Sequence, residues 1–105
     1  MKNIQLTCAH ALVKFLIAQK TLIDGKKEPL FPGVFGIFGH GNVACLGQAL
    51  QENQKKLPTW RGHHEQNMAL TGIAYSRAKR RKQIFVATSS VGPGSTNMIT
   101  AAAVA

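Results

Sequence analysis

Residues 34–42, with the sequence VFGIFGHGN, decide the fold class of this chain. The first five are a short, continuous apolar run with β-branched and aromatic side chains, typical of a strand buried on both faces of a parallel sheet. Small and polar residues follow at once. Among them Asn42 is placed to cap a helix over residues 43–53. The stretch therefore predicts a strand, a tight polar turn and a helix, which is the repeating unit of α/β proteins.

The same order occurs twice more along the chain. Residues 57–61 are predicted as a second strand, followed by a long helix from about Glu65 to Lys79. Residues 84–88 form a third apolar run, which precedes a Gly/Pro/Ser loop and a helical stretch over residues 98–105. Ahead of these units, Thr7 is placed to cap a helix that runs to about Lys20, and residues 24–29 are a polar break. We therefore predict a three-layer αβα fold with a parallel sheet.

The predicted sheet is small for a domain of this class. Three strands are few, and residues 98–105 have neither a capping residue nor a glycine to end the helix. We therefore expect residues 1–105 to be the N-terminal part of a larger domain.

The chain is strongly basic, with 13 Lys and Arg against 4 Asp and Glu and a formal net charge of +9. Its basic residues are scattered apart from one run over residues 77–82, where cations favour the end of the predicted helix. No nucleic-acid-binding motif accompanies the run, which argues against a nucleic-acid partner, although a basic module for an anionic partner stays an alternative.

The two cysteines indicate the redox state of the cellular compartment in which the protein is expected. Cys8 and Cys45 are far apart in sequence and have no CxxC spacing, so we expect two buried, reduced thiols in a cytoplasmic protein, with a disulfide or metal pair as the alternative. No transmembrane span is predicted, since Lys14 and Lys20 interrupt the apolar stretch over residues 12–18. Residues 1–6 have neither a long apolar run nor a small-residue cleavage site, so a signal peptide is not expected.

Polar residues follow each predicted strand, in residues 39–42, 62–67 and 89–97. Ligands of open α/β sheets bind beyond the carboxyl ends of the strands, so these segments are the candidate site. Glu65, one of four acids, begins the long helix. It is either an acid stabilised by the helix dipole, worth ~0.3–1 kcal/mol, or a partly buried carboxylate that shares a proton with a ligand nitrogen.

Two other segments have open interpretations. His40, between two glycines, is a candidate catalytic or substrate-contacting residue, whereas His63 also suits a plain polar loop. Gly92-Pro93-Gly94 is either a turn or a set of backbone N–H groups presented to an anion. His63 and His64 are adjacent and no Cys/His spacing matches a zinc site, so we predict no metal ligands.

Taken together, residues 61–69 (RGHHEQNMA), 74–77 (AYSR) and 88–97 (TSSVGPGSTN) resemble the N-terminal pyrimidine-binding domain of thiamine-diphosphate-dependent enzymes. That family includes acetolactate synthase and pyruvate oxidase. The glutamate motif and the Gly-Pro-Gly motif are specific as a pair, and the resemblance covers essentially the whole chain. One departure is Asn67, where these sequences usually have glycine.

The resemblance implies that Glu65 hydrogen-bonds N1′ of the cofactor's aminopyrimidine and so promotes loss of the C2 proton of the thiazolium. It also implies roles for other residues: catalytic, Glu65 and His40; cofactor-binding, Glu65, Gly92, Pro93, Gly94 and Asn97; substrate-binding, His40, Gly41 and Asn42. The family's diphosphate-binding domain, which carries the Mg²⁺ ligands, has no counterpart here. The family's site also forms between subunits, so a homo-oligomer of at least two chains is expected.

Within the family, residues 6–16, 24–29 and 37–43 look most like the hydrolases that cleave a C–C bond of a cyclic 1,2-dione in myo-inositol catabolism. That match implies a small-molecule substrate and a fragment that is inactive by itself. An acetolactate-synthase-like or decarboxylating relative is the alternative within the family.

Overall fold

A computed structural model describes residues 2–105. Helix α1, Cys8–Ala18, begins after Thr7, whose side chain accepts a hydrogen bond from the His10 backbone N–H, so the predicted cap is confirmed. Along α1, Val13 is fully buried while Leu16 and Ile17 are partly buried against the same core. The apolar spacing of this helix therefore marks the face that packs on the rest of the chain.

The polar break predicted at residues 24–29 is a β-hairpin instead. Strands β1, Lys20–Ile23, and β2, Lys26–Pro29, pair in antiparallel register around a two-residue turn. Asp24 and Gly25 both have positive φ, 51° and 81°, as a type I′ turn requires. The Asp-Gly pair is the sequence signal for this hairpin. The two strands were not predicted because they contain charged residues and their side chains face mainly solvent.

Three parallel strands form the central sheet in the order β4-β3-β5. They are β3, Val34–Gly36; β4, Thr59–Arg61; and β5, Val86–Thr88. The predicted α/β class with a parallel sheet is confirmed. Each observed strand is shorter than the predicted apolar run, because ladder pairing covers only three residues of each.

The connection between β3 and β4 is not the single helix predicted over residues 43–53. It consists of α2, His40–Asn42, a π-helical segment, Val43–Gly47, and α3, Gln48–Glu52. Gly39 is the N-cap, and the predicted capping role of Asn42 is wrong. The Asn42 amide instead donates to the Ser89 carbonyl oxygen at 3.4 Å, because the loop after β5 lies beside this helix start.

The remaining helices follow the other two strands. Helix α4, Glu65–Ala78, links β4 to β5 and matches the prediction within one residue. After β5, Pro93–Thr96 forms the short helix α5 inside the predicted loop, and α6, Ile99–Val104, follows it.

The sheet separates two helical layers. Val13, Ala49, Leu50 and Leu57 pack against Val34 on one face and form the buried core with α1 and α3. On the opposite face, the rings of Phe35, Trp60, Tyr75 and Phe85 form a cluster beneath α4, with Phe35 and Phe85 stacked at 4.5 Å between centroids. Successive strand residues point to opposite faces, so Val34 and Phe35 supply one side chain to each layer. The three-layer αβα arrangement follows from this alternation.

Candidate functional site

The three polar segments of the sequence leave the sheet at one edge. Gly36, at the end of β3, is in register with Arg61 at the end of β4 and with Thr88 at the end of β5. Because the strands are parallel, residues 37–40, 62–65 and 89–94 all begin at their carboxyl ends. Helices α2 and α3 lie on one face of the sheet and α4 on the other, so the edge is open between them.

Glu65 is the first residue of α4 and is half-buried. Its Oε2 accepts a hydrogen bond of 3.3 Å from Asn97 Nδ2, across 32 residues of sequence. Among residues 2–105, the other carboxylate oxygen, Oε1, accepts no hydrogen bond, and the nearby backbone belongs to Gly94. One oxygen is thus held in place while the second is available to a ligand at the sheet edge.

The Gly92-Pro93-Gly94 segment forms a tight turn beside that carboxylate. Gly92 has a φ of 67°, in the left-handed region that favours glycine, and Pro93 starts α5. A Cβ added to the buried Gly94 would overlap Ser90 Oγ and lie 3.5 Å from Glu65 Oε1. Ser90 Oγ therefore occupies the space that a side chain at position 94 would need, and the Gly94 backbone lies beside Glu65.

A cleft of about 510 Å³ lies beside Glu65 and is also lined by Ile37, Arg61, Gly62 and His63. A Cβ on Gly62 would overlap the buried Met68 side chain, so this glycine lets the loop pass tightly over the first turns of α4. His63 and His64 are exposed, with His64 as the N-cap of α4. The loop thus fixes where the Glu65 carboxylate enters the cleft.

His40 lies in a neighbouring cleft of about 530 Å³, with Phe38, Gly39, Gly41 and Ser90 among its lining residues. Its side chain is exposed, and Gly41 faces open space, with no atom within 4 Å of an added Cβ. The amide nitrogen of Asn42 is used in the contact with Ser89, which ties the start of α2 to the loop after β5. The structure thus places His40 and Gly41 at the same sheet edge as Glu65 but in a separate cleft, and Asn42, next in sequence, does not line that cleft.

Sequence reasoning did not single out Ser90, which lies between these two regions. Its Cβ packs against Gly39, and its Oγ packs against Gly94. Its position directly after a strand, in a loop with two glycines, was the available signal, but adjacent serines in a polar loop carry little information. Ser90 therefore contacts both the segment that contains His40 and the turn beside Glu65.

Other polar clusters lie away from this edge. His10 Nε2 and Glu52 Oε2 are 2.7 Å apart and link α1 to α3. Hydrogen bonds from His10 and from Gln48 hold the pKa of Glu52 below its ordinary value. Cys8 and Cys45 form no disulfide with each other, but both are exposed, so the prediction that the two thiols are buried is wrong. Across residues 2–105 there is no group of three His, Cys, Asp or Glu side chains that would hold a metal ion.

A helix that crosses a bilayer needs about 20 mainly apolar residues. None of the helices within residues 2–105 has the length and apolar character needed to cross a membrane.

Comparison with known proteins supports the resemblance seen in the motifs. Residues 18–105 match the family described as thiamine pyrophosphate enzyme, N-terminal TPP binding domain. The chain is 54% identical, over all 105 residues, to the 3D-(3,5/4)-trihydroxycyclohexane-1,2-dione hydrolase of Geobacillus thermodenitrificans. It is 52% identical over the same length to proteins of the same name in Bacillus thuringiensis and Bacillus anthracis.

In each case the match covers the whole chain but only 16% of the relative. The matched family region includes Glu65 and the turn at Gly92–Gly94, the features that the fold brings together at the sheet edge. The chain belongs to the thiamine pyrophosphate enzymes, through their N-terminal TPP binding domain.

Proposed function

We propose that this chain provides the aminopyrimidine-facing part of a thiamine-diphosphate-dependent hydrolase that cleaves a C–C bond of a cyclic 1,2-dione in myo-inositol catabolism. The observation that carries the proposal is the Glu65 carboxylate, which is half-buried, held at Oε2 by Asn97 and, among residues 2–105, free at Oε1. The names of the relatives supply the reaction class.

The residues at the sheet edge fit an aminopyrimidine. To hydrogen-bond a carboxylate, a ring nitrogen of the aminopyrimidine needs a carboxylate oxygen that has no other hydrogen-bond partner. Within the described residues 2–105, Glu65 Oε1 is such an oxygen. The Gly94 backbone lies beside this carboxylate, with an added Cβ 3.5 Å from Oε1. Glu65 and Asn97, with the turn Gly92-Pro93-Gly94, are therefore the residues proposed to hold this half of the cofactor.

Each of these residues has a distinct part. When bound, thiamine diphosphate supplies a nucleophilic carbon and an electron sink for C–C cleavage. Glu65 Oε1 shares a proton at the ring nitrogen, and a carboxylate positioned for such transfer contributes about 10²–10⁴-fold to a rate. Asn97 keeps the carboxylate from rotating away. The turn at Gly92–Gly94 places the Gly94 backbone beside Glu65 Oε1.

The substrate is proposed to bind beside His40, Gly41 and Asn42, with His40 as an acid–base or hydrogen-bonding group. The support is their position at the same sheet edge and the cleft that His40 lines. An acetolactate-synthase-like or decarboxylating enzyme remains the alternative, and the products formed from a cyclic dione and from pyruvate distinguish the two.

Further parts of the proposal concern the rest of the protein. The chain spans 16% of the length of its relatives, so we propose that residues 1–105 are the N-terminal part of the pyrimidine-binding domain and are inactive alone. Ligands for Mg²⁺ are proposed to lie outside these residues. A homo-oligomer of at least two subunits and a cytoplasmic location complete the proposal; the free thiols Cys8 and Cys45 support a reducing compartment.

The test uses an enzyme in which this chain replaces the matched 105 residues of the Geobacillus relative, a graft that 54% identity favours. Proton–deuterium exchange at C2 of bound thiamine diphosphate is followed by NMR. Glu65→Gln, which keeps the side-chain shape and the Asn97 contact, is expected to slow exchange at least ~100-fold. Glu28→Gln, in β2, is the matched control and should exchange like the unmodified graft.

A second experiment uses the isolated chain. The free aminopyrimidine, 4-amino-5-hydroxymethyl-2-methylpyrimidine, should shift the NMR signals of Glu65 and Gly94, and Glu65→Gln should weaken this binding. In the grafted enzyme, C2 exchange in Glu65→Gln at the rate of the unmodified graft would refute the proposed role of Glu65.

A further inference from the structure

The Ser90 carbonyl oxygen is hydrogen-bonded within its loop, while the Ser90 hydroxyl makes no hydrogen bond within the described residues. Its carbonyl oxygen accepts hydrogen bonds from Ser95 Oγ at 2.8 Å and from Ser89 Oγ at 3.1 Å. Among residues 2–105, Ser90 Oγ itself has no hydrogen-bond partner, although the side chain is half-buried. A half-buried hydroxyl on a fixed backbone is a preorganised hydrogen-bonding group for a ligand.

The side chain is also wedged between the two parts of the candidate site. A Cβ on Gly39 would lie 2.7 Å from Ser90 Cβ, and a Cβ on Gly94 would overlap Ser90 Oγ. The Gly94 position is in turn 3.5 Å from Glu65 Oε1. Ser90 also lines the cleft that contains His40. Its hydroxyl therefore lies where the His40 cleft and the Glu65 centre meet.

The chemistry of this junction points to an oxygen-rich ligand. A serine hydroxyl both donates and accepts hydrogen bonds, so it matches the ring hydroxyl and carbonyl oxygens of a polyhydroxylated cyclic ketone. Around it, Phe38, Val43 and Val91 supply apolar surface, and Ser90 and His40 supply polar groups. A pocket with apolar walls and a few polar groups recognises a ligand by the position of its oxygens.

We propose that Ser90 is a substrate-positioning residue, whose hydroxyl hydrogen-bonds a ring hydroxyl group of a polyhydroxylated cyclic dione and so helps to select it. The inference rests on the proposed function, and it assigns to this chain a specificity contact distinct from the Glu65 centre.

The experiment uses the same grafted enzyme and compares two substrates: trihydroxycyclohexane-1,2-dione and unsubstituted cyclohexane-1,2-dione. Ser90→Ala removes the hydroxyl and keeps the Cβ that packs on Gly39. Loss of one neutral hydrogen bond is expected to raise KM for the trihydroxy compound about 3–10-fold. For the unsubstituted dione, kcat/KM should change less than about twofold, since it has no ring hydroxyl to lose a partner.

Controls separate this role from folding and from the Glu65 centre. C2 exchange of bound thiamine diphosphate in Ser90→Ala should stay close to that of the unmodified graft, because the Glu65 carboxylate and the Asn97 amide that donates to it are both retained. Thr100→Ala, on α6, removes a hydroxyl outside this loop, and it should leave the ratio of the two substrates unchanged.

The results that would overturn the role of Ser90 differ from those that would overturn the role of Glu65. An unchanged KM for the trihydroxy dione in Ser90→Ala overturns the inference, while loss of exchange in Glu65→Gln would still support the proposed function. Equal loss for both substrates, together with slowed exchange, also overturns it, because it shows a structural role. Ser90→Cys, which keeps the side-chain length but hydrogen-bonds weakly, should behave like Ser90→Ala toward the two diones.

Discussion

Replacing Gly39 with alanine should force two loops of the site apart. The added Cβ would lie 2.7 Å from Ser90 Cβ and 3.4 Å from Ser90 Cα. Neither atom is the end of a flexible side chain, so no rotation of Ser90 relieves the overlap. The Gly39 backbone, with φ −94° and ψ −175°, accepts alanine without strain. Overpacking of this kind costs about 1–3 kcal/mol, and alanine is also a poorer N-cap than glycine by several tenths of a kcal/mol.

A double-mutant cycle isolates the steric clash between these two positions. Ser90→Gly removes the Cβ that the new methyl group at position 39 would meet, leaving the Ser90 backbone as its nearest neighbour. In that background Gly39→Ala should cost less than about 1 kcal/mol, since only the capping difference and a close approach to backbone remain. The coupling free energy between positions 39 and 90 should therefore be about 1–2 kcal/mol.

Urea unfolding of the four proteins, followed by far-UV circular dichroism and by fluorescence of the single tryptophan, Trp60, gives the free energies. Gly41→Ala is the matched control, because nothing lies within 4 Å of its added Cβ and it is two residues away in the same segment. This control should be neutral or slightly stabilising. Equal destabilisation by Gly39→Ala in both backgrounds would refute the idea that Ser90 sets the distance between the loops.

Two further predictions concern stability. Leu57→Ala, at a fully buried position of the core, should lower the free energy of unfolding by about 2–5 kcal/mol; urea unfolding checks this, and a loss below about 1 kcal/mol would contradict the packing described. The lowered pKa of Glu52 predicts a pH dependence with a definite sign. Its contribution to stability is complete above the ordinary value of 4.5 and is lost as the pH falls through the lowered value of the folded state. His10→Ala should flatten that acid limb in thermal melts between about pH 3 and 6, and an unchanged limb would show that the His10–Glu52 pair is not its source.

Local signals in the sequence were sufficient for much of the architecture. The start of α4 at Glu65 and the cap at Thr7 follow from residue type and apolar spacing, and both agree with the structure. The hairpin was missed because its strands carry lysine and glutamate, which hide a strand pattern even when an Asp-Gly turn is present. The role of Asn42 was wrong because a tertiary partner, the Ser89 carbonyl, competes with the local cap.

By itself, the sequence determined the fold class, the family and the three segments that follow the strands. Those properties depend on local periodicity and on motifs, both of which involve residues close together in sequence. Only the tertiary structure decided that Asn97 holds the Glu65 carboxylate and that Ser90 lies between Gly39 and Gly94. These contacts join residues from distant segments of the chain, and their distances depend on how parallel strands align their ends. That alignment comes from packing on both faces of the sheet, which no single segment specifies.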